Sequence, residues 1–355
     1  MDERPLAFLK KLLDAPGPSG FESIPARIWR EEASSFASLE TDVHDNSLAT
    51  LNPGGSPRVM LAGHVDEIGL MIVHVDDEGF LHFAGIGGWD SQVLVGQRVL
   101  IQSRSGPVLG VIGKKAIHLM KADDRDKVSK ITDLWIDIGA KDKSEALQRV
   151  RIGDPAVLAT HPHELPNGRV VSRSIDNRIG AFVVLEALRR LSGSPGFAAE
   201  VVAVATTQEE IAYTGGGART SAVRLKPDAA IVVDVTHATD HPGSDKKEHG
   251  DFRLGGGPVI SRGSVVNRVM FDQLVDAAEA EGIPYAIEAA PRATNTDADA
   301  IHTAARGVAT GLLSVPCRYM HSPNEMVAID DLDKCAALIA AWVRRLPKDC
   351  SFKPA

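Results

Sequence analysis

The sequence predicts an α/β protein in which a smaller β-rich unit interrupts the α/β unit. Three observations predict this. Apolar, strand-like runs end in histidine or acid; helical periodicity occurs on both sides of a central stretch; and in that stretch, between residues 70 and 167, the texture changes to short β-rich runs broken by Gly, Asp and Pro. At 355 residues the chain is about twice the length of a typical domain, which accommodates two units.

Leu6 to Leu13 has helical periodicity and stops at Pro16-Gly17-Pro18-Ser19-Gly20, a breaker cluster that predicts a loop before a second helix at Glu22 to Glu32. Arg58 to Gly63 reads as a buried strand that delivers His64-Val65-Asp66-Glu67 at its C-terminal end, where open α/β sheets collect ligands. Runs such as Gly69 to Val75 and Gln97 to Gln102 belong to the β-rich insert. The α/β pattern resumes with a helix at Gly180 to Leu191, strands at Glu200 to Thr206 and Ala229 to Asp234, a helix at Arg268 to Glu281 and a strand at Thr310 to Val315. The expected boundaries are 1–69 with 168–355 for the α/β unit and 70–167 for the insert.

Composition excludes several function classes. With 44% hydrophobic and 24% charged residues the chain is globular, and a net charge of -8 disfavours a phosphate-backbone binder, so no nucleic acid is expected. No run approaches the length of a membrane span, and the N-terminus lacks the basic start of a secretory signal. Three cysteines without a CxxC pair point to a reducing, cytoplasmic home.

His64 and Asp66, Asp176, Glu209 and Glu210, Asp234 and His321 follow apolar runs or open helices. Each alone is commonplace, since loop acids and histidines are usually solvated or paired, and Asp176 could simply cap its helix. Together they form an oxygen-and-nitrogen ligand set suited to two zinc-like ions. In His64-Val65-Asp66 the carboxylate can hold one ring N–H and fix which nitrogen faces a metal. Of Glu209 and Glu210, whose side chains diverge at a strand end, one can bind metal and the other can act as base. Two such ions can share a carboxylate, acidify a water and polarise a peptide carbonyl.

In this order, Ala15 to Glu22, Gly63 to Gly69, Gly87-Gly88-Trp89-Asp90, Ser174 to Arg178, Gln208-Glu209-Glu210, Asp234-Val235-Thr236 and Cys317 to Pro323 resemble the tetrahedral aminopeptidases, two-metal glutamyl-aminopeptidase-like enzymes also labelled cellulase M and FrvX. The resemblance implies a three-layer α/β metallopeptidase domain with an inserted, small β-barrel-like dimerisation domain. It implies that His64, Asp176 and Asp234 hold one ion, that Asp176, Glu210 and His321 hold the other, that Glu209 is the general base and that Asp66 orients His64. It implies zinc, with cobalt or manganese as substitutes, peptide substrates with a free N-terminus, and dimers that build a hollow dodecamer. Three departures stand out: a longer loop at Ile211 to Ala218, Asn177 after the bridging position, and Asn295 before Thr296-Asp297. Arg262 is a candidate to line the substrate pocket, weighed against an ordinary surface arginine. A glycosidase is the rival reading, disfavoured by the histidines and by only four Trp and three Tyr for sugar platforms. A related amidohydrolase or carboxypeptidase differs in requiring no free amine.

Overall fold

The computed structural model describes residues 3–193, 196–211 and 215–354. The helices among them are α1 (Glu3–Asp14), α2 (Ser23–Ala33), α3 (Lys143–Arg149), α4 (Ile175–Ser192), α5 (Gly216–Leu225), α6 (Lys246–His249), α7 (Arg268–Glu281), α8 (Asp297–Ile301) and α9 (Ile329–Arg345). The α1 helix carries Glu3 in its first turn and Lys11 in its last, complementing the helix dipole, and buries Phe8, Leu9, Leu12 and Leu13 on one stripe.

The chain first lays down β1 (Ser38–Thr41), β2 (Ser47–Leu51) and β3 (Arg58–His64). It then forms β4 (Gly69–Val75), β5 (Leu81–Ile86), β6 (Arg98–Ser103), β7 (Gly106–Gly113), β8 (Trp135–Asp137) and β9 (Pro155–Leu158), which close into a barrel in the order β4-β5-β8-β7-β6-β9. Closure removes the unpaired edges that an open six-stranded sheet would expose. The barrel has its own core of Leu70, Ile72, Leu81, Val99, Ile101 and Ile136, among others. Its last strand ends at Leu158, and β10 (His163–Leu165) pairs with β11 (Arg169–Ser172) and, through it, with β17 (Glu325–Ala328).

The remaining strands, β12 (Glu200–Thr206), β13 (Ala229–His237), β14 (Val259–Gly263), β15 (Ala286–Ala290) and β16 (Ala309–Cys317), join β1 to β3 in an eight-stranded sheet ordered β1-β2-β12-β3-β13-β16-β14-β15. Its centre, β12-β3-β13-β16, is parallel. These strands are almost wholly apolar and buried, as a sheet covered on both faces requires. Helices α4, α7 and α9 pack together on the sheet as one layer, and α5 and α8 form the other.

Two glycines set how closely α4 lies on the sheet. A Cβ at Gly63 would fall 2.3 Å from the Gly180 carbonyl carbon, and one at Gly180 would fall 2.4 Å from the Val233 carbonyl oxygen. Only hydrogen at both positions lets the start of α4 settle over the ends of β3 and β13. On the outer side of α4, fully buried Trp29 of α2 donates its indole N–H to the Ala181 carbonyl at 2.8 Å. Truncating that side chain to alanine should cost about 3–5 kcal/mol.

Candidate metal centre

The parallel strands all point their C-terminal ends at one edge, and the candidate residues converge there. His64 is the last residue of β3 and is paired in register with Thr206, after which the chain turns into Gln208-Glu209-Glu210. Asp234 lies in β13, and His321 follows β16. Gln208 and His321 have φ of 62° and 58°, and Ser174 has φ of 61°. Left-handed backbone at non-glycine residues costs on the order of 1–3 kcal/mol each and gathers at functional sites. Here it re-aims the chain beside Asp176, beside Glu209 and at His321 itself.

Asp176 occupies the centre. Its Oδ1 lies 3.3 Å from His64 Nε2, and its Oδ2 lies 3.3 Å from His321 Nε2. His321 Nδ1 is hydrogen-bonded to the Gly88 carbonyl at 2.9 Å, whereas buried His64 Nδ1 lies 3.4 Å from Asp66 Oδ1, an ion-pair distance without hydrogen-bond geometry. Both Nε2 atoms face the carboxylates. Glu210 Oε2 is 3.4 Å from His321 Nε2, and Glu209 Oε2 is 3.7 Å from His64 Nε2. Among the described residues, two triads have donor atoms all within 4.8 Å of one another: His64 with Asp176 and Glu210, and His64 with Glu209 and Asp234.

The electrostatics are those of anions crowded out of water. Burial, together with the charges of Asp234, Asp297 and Asp66, pushes Glu209 up to about 9 against the opposing pull of His64. Burial and the Asp176 charge likewise raise Glu210, and Asp234 is raised by the same two causes. His64 is raised although burial alone would lower it, because Asp66 and Glu209 favour its charged form. Glu210 Oε1 is buried with no hydrogen-bond partner. An orphaned carboxylate oxygen among mutually repelling acids and two imidazoles fits divalent cations, whose charge would return these groups to their ionised, ligating forms.

Several supporting residues carried no role in the sequence reading. Buried Glu325 accepts the backbone N–H of Asp176 at 3.0 Å and that of His321 at 2.8 Å, tying the central carboxylate to the second histidine. Glu22 accepts Gln208 N–H at 3.1 Å, and Thr206 donates its hydroxyl to Asp297 at 2.5 Å. Asn177 is fully buried; its Oδ1 accepts Gly180 N–H at 3.0 Å and its amide donates to the Val233 carbonyl at 2.7 Å. An aspartate could supply only the first bond unless protonated, which explains the amide at this position.

The site opens into a cleft of about 990 Å³ lined by Asp176, Glu209, Glu210, Asp234, Asp297 and His321 among others. Arg262 lies outside that cleft, with its guanidinium 5.0 Å above the Phe271 ring. Of the departing loop at 211–218, Ala212, Tyr213 and Thr214 lie outside the described residues. No helix among the described residues is long and apolar enough to cross a membrane.

The family model described as M42 glutamyl aminopeptidase matches residues 46–338. The chain is 33% identical to a lysyl aminopeptidase of Pyrococcus furiosus over 98% of each chain. Among solved structures it is similar to a TET aminopeptidase from a marine sediment archaeon of the Thaumarchaeota, with a TM-score of 0.92, 32% identity and 97% of each chain covered. It is also similar to the TET1 peptidase of Pyrococcus horikoshii, described as assembling into a tetrahedron or a large octahedral shell, with a TM-score of 0.85, 34% identity, and 96% of this chain and 100% of that one covered.

Proposed function

The chain belongs to the M42 glutamyl aminopeptidase family and is a peptidase that acts at the N-terminus of peptides; from that premise we propose that it works with two divalent ions, one held by His64, Asp176 and Asp234 and the other by Asp176, Glu210 and His321. The observation that carries this reading is the division of the Asp176 carboxylate, one oxygen 3.3 Å from each histidine Nε2. Imidazoles and carboxylates without a thiolate suit zinc, with cobalt or manganese as substitutes.

When bound, the ions supply Lewis-acid polarisation of the scissile carbonyl and lower the pKa of the attacking water. Glu209 is the general base: its Oε2 takes the proton of that water and delivers it to the leaving amine. Its place beside His64 and its exposure to the cleft support the role. Asp66 does not touch substrate; it holds His64 in the orientation that aims Nε2 at Asp176.

We assign dimerisation to the barrel, taken as the inserted unit. Leu109 and Val111 on β7, with Ile117, Leu119 and Val128 in the segment that follows, are exposed apolar side chains suited to burial against a second copy. The relative that assembles into a tetrahedral shell supports a dodecamer built from such dimers, which admits peptides and excludes folded proteins. The cysteines are free thiols, in keeping with a cytoplasmic home.

Release of chromophore from aminoacyl derivatives tests the function. Activity should require added metal, stop with chelator, and vanish when the α-amine is acetylated. Turnover of a blocked peptide or a glucan, with none of a free-amine substrate, would overturn it.

A further inference from the structure

We propose that this cleft selects a cationic N-terminal side chain, lysine or arginine, through the carboxylate of Glu288. The inference rests on the aminopeptidase reading and on the ions lying at Asp176 and Asp234.

Thr236 lies two residues beyond Asp234 in β13, so both side chains face the cleft. The Thr236 hydroxyl donates to Glu288 Oε1 at 2.8 Å, and the Ser261 hydroxyl donates to Oε2 at 3.2 Å. Ser261 and Glu288 are also register partners across β14 and β15. The carboxylate is therefore fixed from three strands, on the side of the sheet that extends from the metal site. Among the described residues Glu288 has no ion-pair partner, and it is only partly exposed. Two hydroxyl donors leave a carboxylate with lone pairs to spare and its charge uncompensated.

An ammonium or guanidinium arriving from the cleft supplies what is missing. Leu312 and Met320 line the same cleft, giving apolar surface for the four-carbon stem of a lysine. The other acids beyond the metal set are occupied: buried Asp297 accepts the Thr206 hydroxyl, and Asp299 accepts the backbone N–H groups of Thr294 and Asn295 and the Thr294 hydroxyl. The cations of the cleft, Arg219 and Arg292, are exposed, where water and salt weaken their claim on an acidic side chain. Glu288, less exposed, exerts the stronger discrimination.

The test compares kcat/KM for lysyl, arginyl, norleucyl, leucyl and glutamyl chromogenic substrates on the metal-loaded enzyme. Wild type should prefer lysyl over norleucyl, which shares the stem but lacks the ammonium. In Glu288→Gln the lysyl-to-leucyl ratio should fall by about 10–100-fold, mainly through KM, and Glu288→Lys should turn the preference toward glutamyl substrates. An unchanged ratio in Glu288→Gln, with both substrates slowed alike, would mean that Glu288 only braces the strands and would overturn the proposal. A wild type that prefers glutamyl, or that treats lysyl and norleucyl alike, overturns it without any variant. Failure to turn over every free-amine substrate is a different result, which removes the aminopeptidase reading and this inference with it.

Discussion

Asp66 links His64 to the turn that carries Glu209 and Glu210. Its Oδ1 lies 3.4 Å from His64 Nδ1 and accepts Glu209 N–H at 3.2 Å, while Oδ2 accepts Glu210 N–H at 3.2 Å and the Ser19 hydroxyl at 2.6 Å. One buried carboxylate thus holds the turn that carries both acids and stands beside the histidine opposite them. In Asp66→Asn the amide cannot serve all these donors. Metal affinity should fall by about 10–100-fold, read by competitive zinc titration, with activity partly recovered by excess metal. An unchanged affinity would remove the orienting role.

Glu209→Gln keeps the shape of the site and removes the proton carrier. Because the ligand assignment leaves Glu209 out, the variant should bind the same number of ions as wild type. Its kcat should nevertheless drop by roughly 10²–10⁴-fold. Metal analysis beside steady-state kinetics checks both halves. Loss of an ion together with activity would make Glu209 a ligand instead.

The convergence of His64, Asp176, Glu209, Glu210, Asp234 and His321 was legible because each stands beside an apolar run or a helix start, and a parallel sheet brings such ends to one edge. The proximity of Asp66 to His64 was legible from their spacing. The roles of Glu325 and Glu22 were not. Glu325 meets the Asp176 backbone across 149 residues of sequence, and Glu22 reaches Gln208 across 186. No local pattern records such an approach. The barrel was visible as a change of texture; that β10 pairs with β11 and not with the barrel was not, because β10 reads like any short strand and its partner is settled by the β10–β11 hairpin. Asn177 was seen only as a departure; its second bond, to Val233, becomes apparent once α4 is seated on β13.

Glu67, adjacent to Asp66, has a structural task. It is buried with Arg173 and Arg178, accepting from both guanidinium groups and from Gly17 N–H at 3.1 Å. Arg178, fully buried, also donates to the carbonyls of Leu12 and Val65, each at 3.0 Å. Removing the shared anion leaves two buried cations with a neutral neighbour. Glu67→Gln should therefore cost about 3–5 kcal/mol in urea unfolding. A loss below about 1 kcal/mol would show that water already reaches the cluster.

Glu22 makes stability depend on pH. Burial, and then the charge of Asp66, raises its pKa from 4.5 to about 7, although the N–H groups of Gly20 and Gln208 pull it down. The folded chain therefore holds this proton more tightly than the unfolded chain. Its contribution is fully present below about pH 4.5 and is lost as pH rises through about 7. The difference between the limits is about 3 kcal/mol. Glu22→Gln keeps an acceptor for both N–H groups and has no proton to lose. Measured by denaturant unfolding at equal metal saturation, the variant should gain on wild type by about that amount between pH 4.5 and pH 8. Parallel profiles would mean that Glu22 is ionised throughout and that the turn before Glu209 rests on a charged carboxylate.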